Sequence, residues 1–349
     1  MHEHELDGLI DIAALARFLR EHVPGTDAPL AVERLHAGYS NETFYVTRGD
    51  QRWVLRRPPR GALLPTSHDV LREYRMMSAL AGTAARVPAT IAACGDPRAI
   101  GAPFYLMQRV DGEVIRESSP PQFEPWAERQ RIGEDLIDAL VELHGIDWRG
   151  LGLDGFSRPH GFLARQLNRW TQQLDLTRPH TRPLAGIAEV TEWLGRHLPE
   201  SGQPAVVHGD YKLDNVILAS DPPARILALL DWEMSTVGDP LTDLAWCLAY
   251  WGPTGDPPNK MWETTNAVTM RPGYPTRAEL VARYEERSRR KVHDFQFYFC
   301  LAVWRQAIIC EGLYRLHLEG TAPNPRTADM AWVVPQTIER LHRIIAGEL

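Results

Sequence analysis

The chain has 349 residues, 44% of them hydrophobic and 24% charged, with a formal net charge of −7 and a pI near 6.0. This is the composition of a globular protein long enough for two compact lobes, and its acidic balance argues against general affinity for nucleic-acid backbones. No apolar stretch approaches the ~18 residues of a membrane span, and the N-terminal MHEHELDGLI lacks the basic-then-apolar pattern of a secretion signal. Four cysteines without a CxxC pair read as reduced thiols, so a cytoplasmic protein is expected.

The first predicted element is a helix over residues 9–19, where Leu9, Ile12, Leu15 and Leu19 recur at helical spacing before Pro24-Gly25 stops it. Short β-like runs follow at 31–35, 43–47 and 53–55, the last two joined by the turn Arg48-Gly49-Asp50. A helix over 68–80 and a buried strand over 104–108 complete a small α+β lobe, residues 1–110. After Asp111-Gly112 the pattern turns helical, beginning with 126–144, which His144-Gly145 closes. Further helices are expected at 162–174, 187–198, 241–251, 277–290, 295–317 and 337–345. A single hairpin interrupts them, 215–218 and 225–230 around a turn at 219–224. Residues 111–349 therefore form a mainly helical second lobe, and its Pro- and Gly-rich stretch 252–275 reads as a long functional loop.

The most informative segment is VVHGDYKLDNVIL, residues 206–218. Asp210 and Asn215 sit on a loop between apolar runs, and the second hairpin strand delivers Asp231 at its C-terminal end. Oxygen ligands of this kind suit Mg²⁺, which takes few protein ligands and completes its shell with water and phosphate. Phosphoryl transfer asks a protein for a positioned hydroxyl, a held cation and neutralised charge. In that scheme Asp210 orients the acceptor hydroxyl and takes its proton, Asn215 and Asp231 hold Mg²⁺, and Lys212 reaches the transferring group. His208 braces this catalytic loop rather than acting as a base. A Zn²⁺ hydrolase using His208 and Asp210 is the other chemistry these residue types allow, but it leaves Lys212 and the upstream lobe without a role.

His208-Gly209-Asp210, with Asn215 and Asp231, resembles the catalytic and metal motifs of aminoglycoside phosphotransferases and choline kinases. The order Asp210, Lys212, Asn215 also matches the protein-kinase catalytic loop. Asp231-Trp232-Glu233 stands where protein kinases have Asp-Phe-Gly, and GDPLTDLA, residues 238–245, is similar to the stretch that follows in the small-molecule kinases. The resemblance implies a protein-kinase-like two-lobed fold, ATP with Mg²⁺, and a small-molecule hydroxyl as acceptor. Asp239 is expected to cap a helix with Pro240 at its first position, and Asp243 to brace the catalytic loop from beneath.

The same resemblance assigns the small lobe to the nucleotide. Gly38-Tyr39-Ser40-Asn41 lies between β-like runs, either as an ordinary hairpin turn or as a phosphate-covering loop with Ser40 and Asn41 as donors. Arg56 stands where the resemblance predicts a phosphate-binding lysine; its neighbour Arg57 faces the other side of the strand. Glu73 would be the ion-pair partner of Arg56. Met107 would line the adenine pocket or simply fill the core, and backbone groups at Gln108–Val110 would read the base.

Residues 54–80 and 273–288 resemble the phosphotransferase domains fused to some acyl-CoA dehydrogenases, which implies a hydroxyacyl-CoA acceptor. Arg277, Arg283, Arg287, Arg289, Arg290 and Lys291 form either a face for an anionic acyl-CoA or a solvated helix face. Phe295, Phe297, Tyr298, Phe299 and Trp304 either line an acyl channel or pack the core. An aminoglycoside or other amino-alcohol acceptor would instead need carboxylates clustered near Asp210. Arg56 in the lysine position also admits a nucleotide-binding regulator without catalysis.

Overall fold

The computed structural model describes residues 8–25, 27–35, 41–59, 69–156, 159–252, 268–322 and 324–348. Ser40 and most of the long loop at 252–275 lie outside them.

Five antiparallel strands build the first layer: β1 (Leu30–Leu35), β2 (Glu42–Arg48), β3 (Gln51–Arg57), β4 (Thr90–Cys94) and β5 (Phe104–Gln108), in the order β1-β2-β3-β5-β4. Strand β4 was not expected. Its sequence, TIAAC, is short with two alanines in five residues, and it is held by its pairing with β5, irregular between Thr90 and Ala92. Helix α1 (Ile12–His22) starts on Asp11, whose carboxylate accepts from Ala14 N, and α2 (Val70–Leu80) starts on Asp69, which accepts from Arg72 N.

Alternation along β3 sorts its side chains between two cores. Trp53 and Leu55 pack with Leu15 and Leu19 of α1 and with Phe44 and Phe104. Val54 points the other way and joins Met76, Met77, Tyr105 and Met107 in a core continuous with the helical lobe. Arg56 shares that inner face, opposite Tyr105 in the register.

The helical lobe contains α3 (Trp126–His144), α4 (Phe162–Thr177), α5 (Ile187–Arg196), α6 (Leu241–Ala249), α7 (Arg277–Ser288), α8 (Phe295–Leu318) and α9 (Met330–Ile345). Two small ladders lie among them, β6 (Ala205–Val207) with β9 (Thr236–Gly238), and β7 (Val216–Leu218) with β8 (Ile226–Leu229). The chain is stitched to β7 soon after leaving β5, because Glu113 and Leu218 exchange both backbone hydrogen bonds at 2.8 Å. Gly112 permits this approach, since a Cβ there would lie 2.2 Å from Leu218 O.

Helix α9 begins seven residues before the expected start at 337, because Pro335 lies inside it. Proline lacks the N–H that Ala331 O would accept. Arg182 supplies the missing donor, with Nη1 on Ala331 O and Nη2 on Met330 O. The basic segment around α7 is largely structural. Arg283 forms a two-pronged pair with Asp138 of α3, Arg287 adds to it, and Arg290 donates to His144 O and Gln203 O. Phe297, Tyr298, Phe299 and Trp304 are buried in the core rather than lining a channel. All four cysteines are free thiols, and no described helix is long and apolar enough to cross a membrane.

Candidate active site

Strand β6 is buried along its length, and His208, Gly209 and Asp210 follow it directly. Asp243, in the first turn of α6, grips the start of this loop. Its Oδ2 accepts from His208 N at 2.6 Å and its Oδ1 from Gly209 N at 2.8 Å. His144 at the end of α3 supports Asp243 through Nε2 at 3.4 Å and accepts Tyr284 Oη–H at Nδ1, 2.9 Å. Burial holds the His144 imidazole below its usual pKa, with Asp243 pulling the other way. The loop turns at Gly209, where φ is +85° and a Cβ would sit 2.5 Å from Met234 O.

Both ring nitrogens of His208 are committed to backbone. Nε2–H donates to Leu230 O at 2.9 Å and Nδ1 accepts from Asp210 N at 3.3 Å, while the Trp232 ring packs 4.7 Å away. That arrangement ties the 208–210 loop to the end of β8 and leaves no lone pair for Zn²⁺.

The Asp210 carboxylate is held on both oxygens. Trp246 Nε1–H donates to Oδ1 at 2.7 Å and Asn215 Nδ2–H to Oδ2 at 2.8 Å. Lys212 Nζ lies 3.5 Å from Asp210 Oδ2 and 3.5 Å from Asp214 Oδ2, over the Tyr250 ring. Burial works against the Lys212 charge, but the two carboxylates prevail and raise its pKa, so it stays an ammonium. Asn215 also donates to Asp210 O at 2.9 Å and its own backbone carbonyl accepts from Leu230 N at 2.8 Å.

This last bond places Asp231 beside the loop. Asp231 adopts the left-handed conformation, φ 66° and ψ 65°, rare for a residue with a Cβ and characteristic of functional sites. Its Oδ1 meets Arg56 Nη2 at 3.0 Å, and Arg56 Nη1 meets Glu73 Oε1 at 2.7 Å. Glu73 Oε1 also accepts from Trp232 N at 3.2 Å. Burial pushes the Glu73 carboxyl upward while Arg56 pulls it down. Around this chain of charges, Arg72 donates to Ser235 O at 2.6 Å, and Asn41 Nδ2 donates to Glu233 Oε2 at 3.3 Å. The small lobe thus grips residues 231–235 through four of its side chains.

Of the expected nucleotide contacts, Arg56 and Glu73 come together as an ion pair, and Asn41 sits beside Glu233. Met107 is buried opposite Val54. The Gln108 side chain is exposed and its N–H is bound to Ala89 O at 2.7 Å; Val110 is half-buried.

Two residues of the site escaped the sequence reading. Trp246 lies one helical turn after Asp243, so both face the loop, and that spacing was an available signal. Arg305, on α8, donates from Nη2 to Gly209 O at 2.8 Å and stacks 3.9 Å over the Trp246 ring and 5.0 Å over Trp170. Its signal was only a lone cation in a buried apolar run.

Among the described residues no cluster of three His, Cys, Asp or Glu side chains could hold a metal. The donor set fits instead a cation that arrives with phosphate and water. With both its Nδ2 bonds directed at Asp210, the Asn215 amide turns its Oδ1 away from that residue, and Asp231 adds a carboxylate.

Residues 31–280 match the model of a phosphotransferase enzyme family. Acyl-CoA dehydrogenase family member 11 of Rattus norvegicus is 35% identical over 318 residues, covering 89% of this chain and 40% of that protein. The chain spans less than half the length of the curated relatives it matches. A crystal structure from Ralstonia eutropha, provisionally described as an aminoglycoside phosphotransferase, superposes with a TM-score of 0.83 at 31% identity, over 97% of this chain and 99% of that one. The choline kinase of Cryptosporidium parvum superposes with a TM-score of 0.65 at 13% identity, over 97% of this chain and 96% of that one.

Proposed function

We propose a donor and an acceptor for this chain from the premise that it belongs to the phosphotransferase enzyme family, with a protein-kinase-like α+β fold. It is a phosphotransferase acting on an alcohol group. In our reading ATP is the donor, Mg²⁺ accompanies it, and the acceptor is the hydroxyl of a small molecule, a hydroxyacyl-CoA in the first instance. The observation that carries the reading is the Asp210 carboxylate, fixed by Trp246 and Asn215 beside the Lys212 ammonium.

The hydroxyl binds Asp210, which orients it and accepts its proton as the oxygen bonds to the γ-phosphorus. The bond from that phosphorus to the bridging oxygen breaks, and ADP leaves. Lys212 offsets charge on the transferring group. When bound, Mg²⁺ neutralises phosphate charge; Asn215 Oδ1 and Asp231 would hold it. Arg56, oriented by Glu73, binds the phosphates in place of a lysine. With the Gln108 N–H engaged, its carbonyl and the Val110 N–H would read adenine beside Met107, and Ser40 with Asn41 would cover the phosphates. His208 keeps the loop in register.

The acceptor class draws on the acyl-CoA dehydrogenase relatives and on the charges around Asp210. Lys212 and Arg305 flank it, and Arg169 lies over the Trp170 ring at 5.8 Å. Asp210 and Asp214 share the Lys212 charge, so the preference for an anionic acyl-CoA over a polycationic acceptor rests on Arg305, Arg169 and the acyl-CoA dehydrogenase relatives. Mass spectrometry after incubation with Mg-ATP and a mixture of hydroxyacyl-CoAs, aminoglycosides and amino alcohols tests the reading. A phosphorylated hydroxyacyl-CoA is expected; ATP binding without any phosphorylated acceptor would make the chain a nucleotide-binding regulator instead.

A further inference from the structure

Several enclosed guanidinium groups in this chain meet carboxylates, while among the described residues the buried Arg48 hydrogen-bonds only the Val23 carbonyl and the Gln51 amide oxygen. Arg56 meets Glu73 and Asp231, Arg86 meets Asp135 and Glu142, and Arg182 meets Glu311. Arg305, like Arg48, has no carboxylate partner among the described residues. It makes one carbonyl hydrogen bond and two ring contacts, and its buried Nε–H has no hydrogen-bond partner among the described residues. Burial pushes its pKa down, and Asp210 and Asp243 oppose this only through space. Desolvating a cation without a carboxylate is costly, and a packing role alone would be met by methionine or leucine.

Its position gives the cost a use. The guanidinium lies on the face of Trp246, the residue whose indole fixes Asp210 Oδ1, and reaches the backbone one residue before Asp210. The half-buried Trp170 and Tyr250 extend an aromatic surface from it. A molecule whose hydroxyl rests on Asp210 would bring its adjoining groups against this cation.

Resting on the phosphotransfer reading above, we propose that Arg305 is the acceptor-recognition residue. It binds an acyl oxygen of the molecule whose hydroxyl is phosphorylated, and so makes the site selective for hydroxyacyl compounds over simple alcohols. A free carboxylate and a thioester carbonyl both offer that oxygen, and both are planar acceptors matched to a guanidinium.

The test compares a hydroxyacyl-CoA, the matching free hydroxy acid, and the diol that keeps the hydroxyl but lacks the acyl oxygen. Binding to the protein loaded with Mg²⁺ and a non-hydrolysable ATP analogue is measured by calorimetry, and phosphorylated product by mass spectrometry. The wild type should favour an acyl form over the diol by roughly 10- to 100-fold, the range of a hydrogen bond to a charged group. Whichever acyl form binds more tightly identifies the source of the oxygen. Arg305→Met should bind acyl form and diol alike, while Arg305→Lys, which keeps the charge but not the planar fork, should retain part of the preference. Should Arg305→Met perturb the loop, the lysine variant and the wild-type preference still decide. Equal wild-type binding of acyl form and diol, or an undiminished preference in Arg305→Met, would overturn the proposal. Acyl-selective binding without any product would sink the phosphotransfer reading and leave the Arg305 contact standing.

Discussion

Arg56 reaches across the cleft to Asp231, Nη2 to Oδ1 at 3.0 Å, while its other terminal nitrogen holds Glu73 at 2.7 Å. One side chain therefore joins the sheet, α2 and the segment after β8. The residue that departs from the lysine of related motifs uses both prongs of its fork.

A lysine ammonium would have to choose between those carboxylates, or sit less well between them. Arg56→Lys should therefore weaken nucleotide affinity by about tenfold, the scale of one charge-assisted hydrogen bond, as read by titration with an ATP analogue. Glu73→Ala leaves the Arg56 guanidinium buried with Asp231 alone and should cost about 3 kcal/mol in urea unfolding. The double variant Arg56→Met, Glu73→Leu should cost less than the two single changes summed. Strict additivity would show that the pair is not energetically coupled.

Gly209→Ala meets two obstacles at once. The left-handed conformation costs a side-chain residue ~1–2 kcal/mol, and the new Cβ would approach Met234 O at 2.5 Å. Denaturant unfolding should show a loss of at least that size, and product formation should fall with it as Asp210 moves. Unchanged stability would mean that the loop turns elsewhere.

The local chemistry of the site was legible because Asp210, Lys212 and Asn215 share one short loop and Asp231 follows one hairpin later. Their residue types carry the chemistry at that spacing. Trp246 and Arg305 were not, because their roles depend on how α6 and α8 pack against the loop, and packing partners far apart in the chain leave little local trace. The same limit explains β4, whose alanines acquire strand structure only through β5, and the start of α9, where Pro335 mimics a helix boundary until Arg182 supplies the missing donor. The basic run near α7 was ambiguous from composition; Asp138 on α3 takes up Arg283 and Arg287, and backbone carbonyls take up Arg277 and Arg290.

His144 gives stability a defined pH dependence. Its pKa in the folded chain lies below the ordinary value of ~6.5. Between those two values the unfolded chain binds the extra proton, so stability rises with pH and is lost as pH falls below about 6.5. Asp243 and, more weakly, Asp239 favour the proton, while Arg290 opposes it. Over roughly pH 7 to 5, the unfolding free energy of the wild type should fall more steeply than that of His144→Gln. Parallel profiles would assign the acid sensitivity to other groups.

The most direct measurement of the central claim is the single-turnover rate of phosphorylated product from Mg-ATP in Asp210→Asn beside the wild type. The substitution keeps an oxygen for Trp246 and removes the proton acceptor, so the rate should fall by about 10²–10⁴-fold with nucleotide affinity retained. Near-normal turnover in Asp210→Asn would contradict the account.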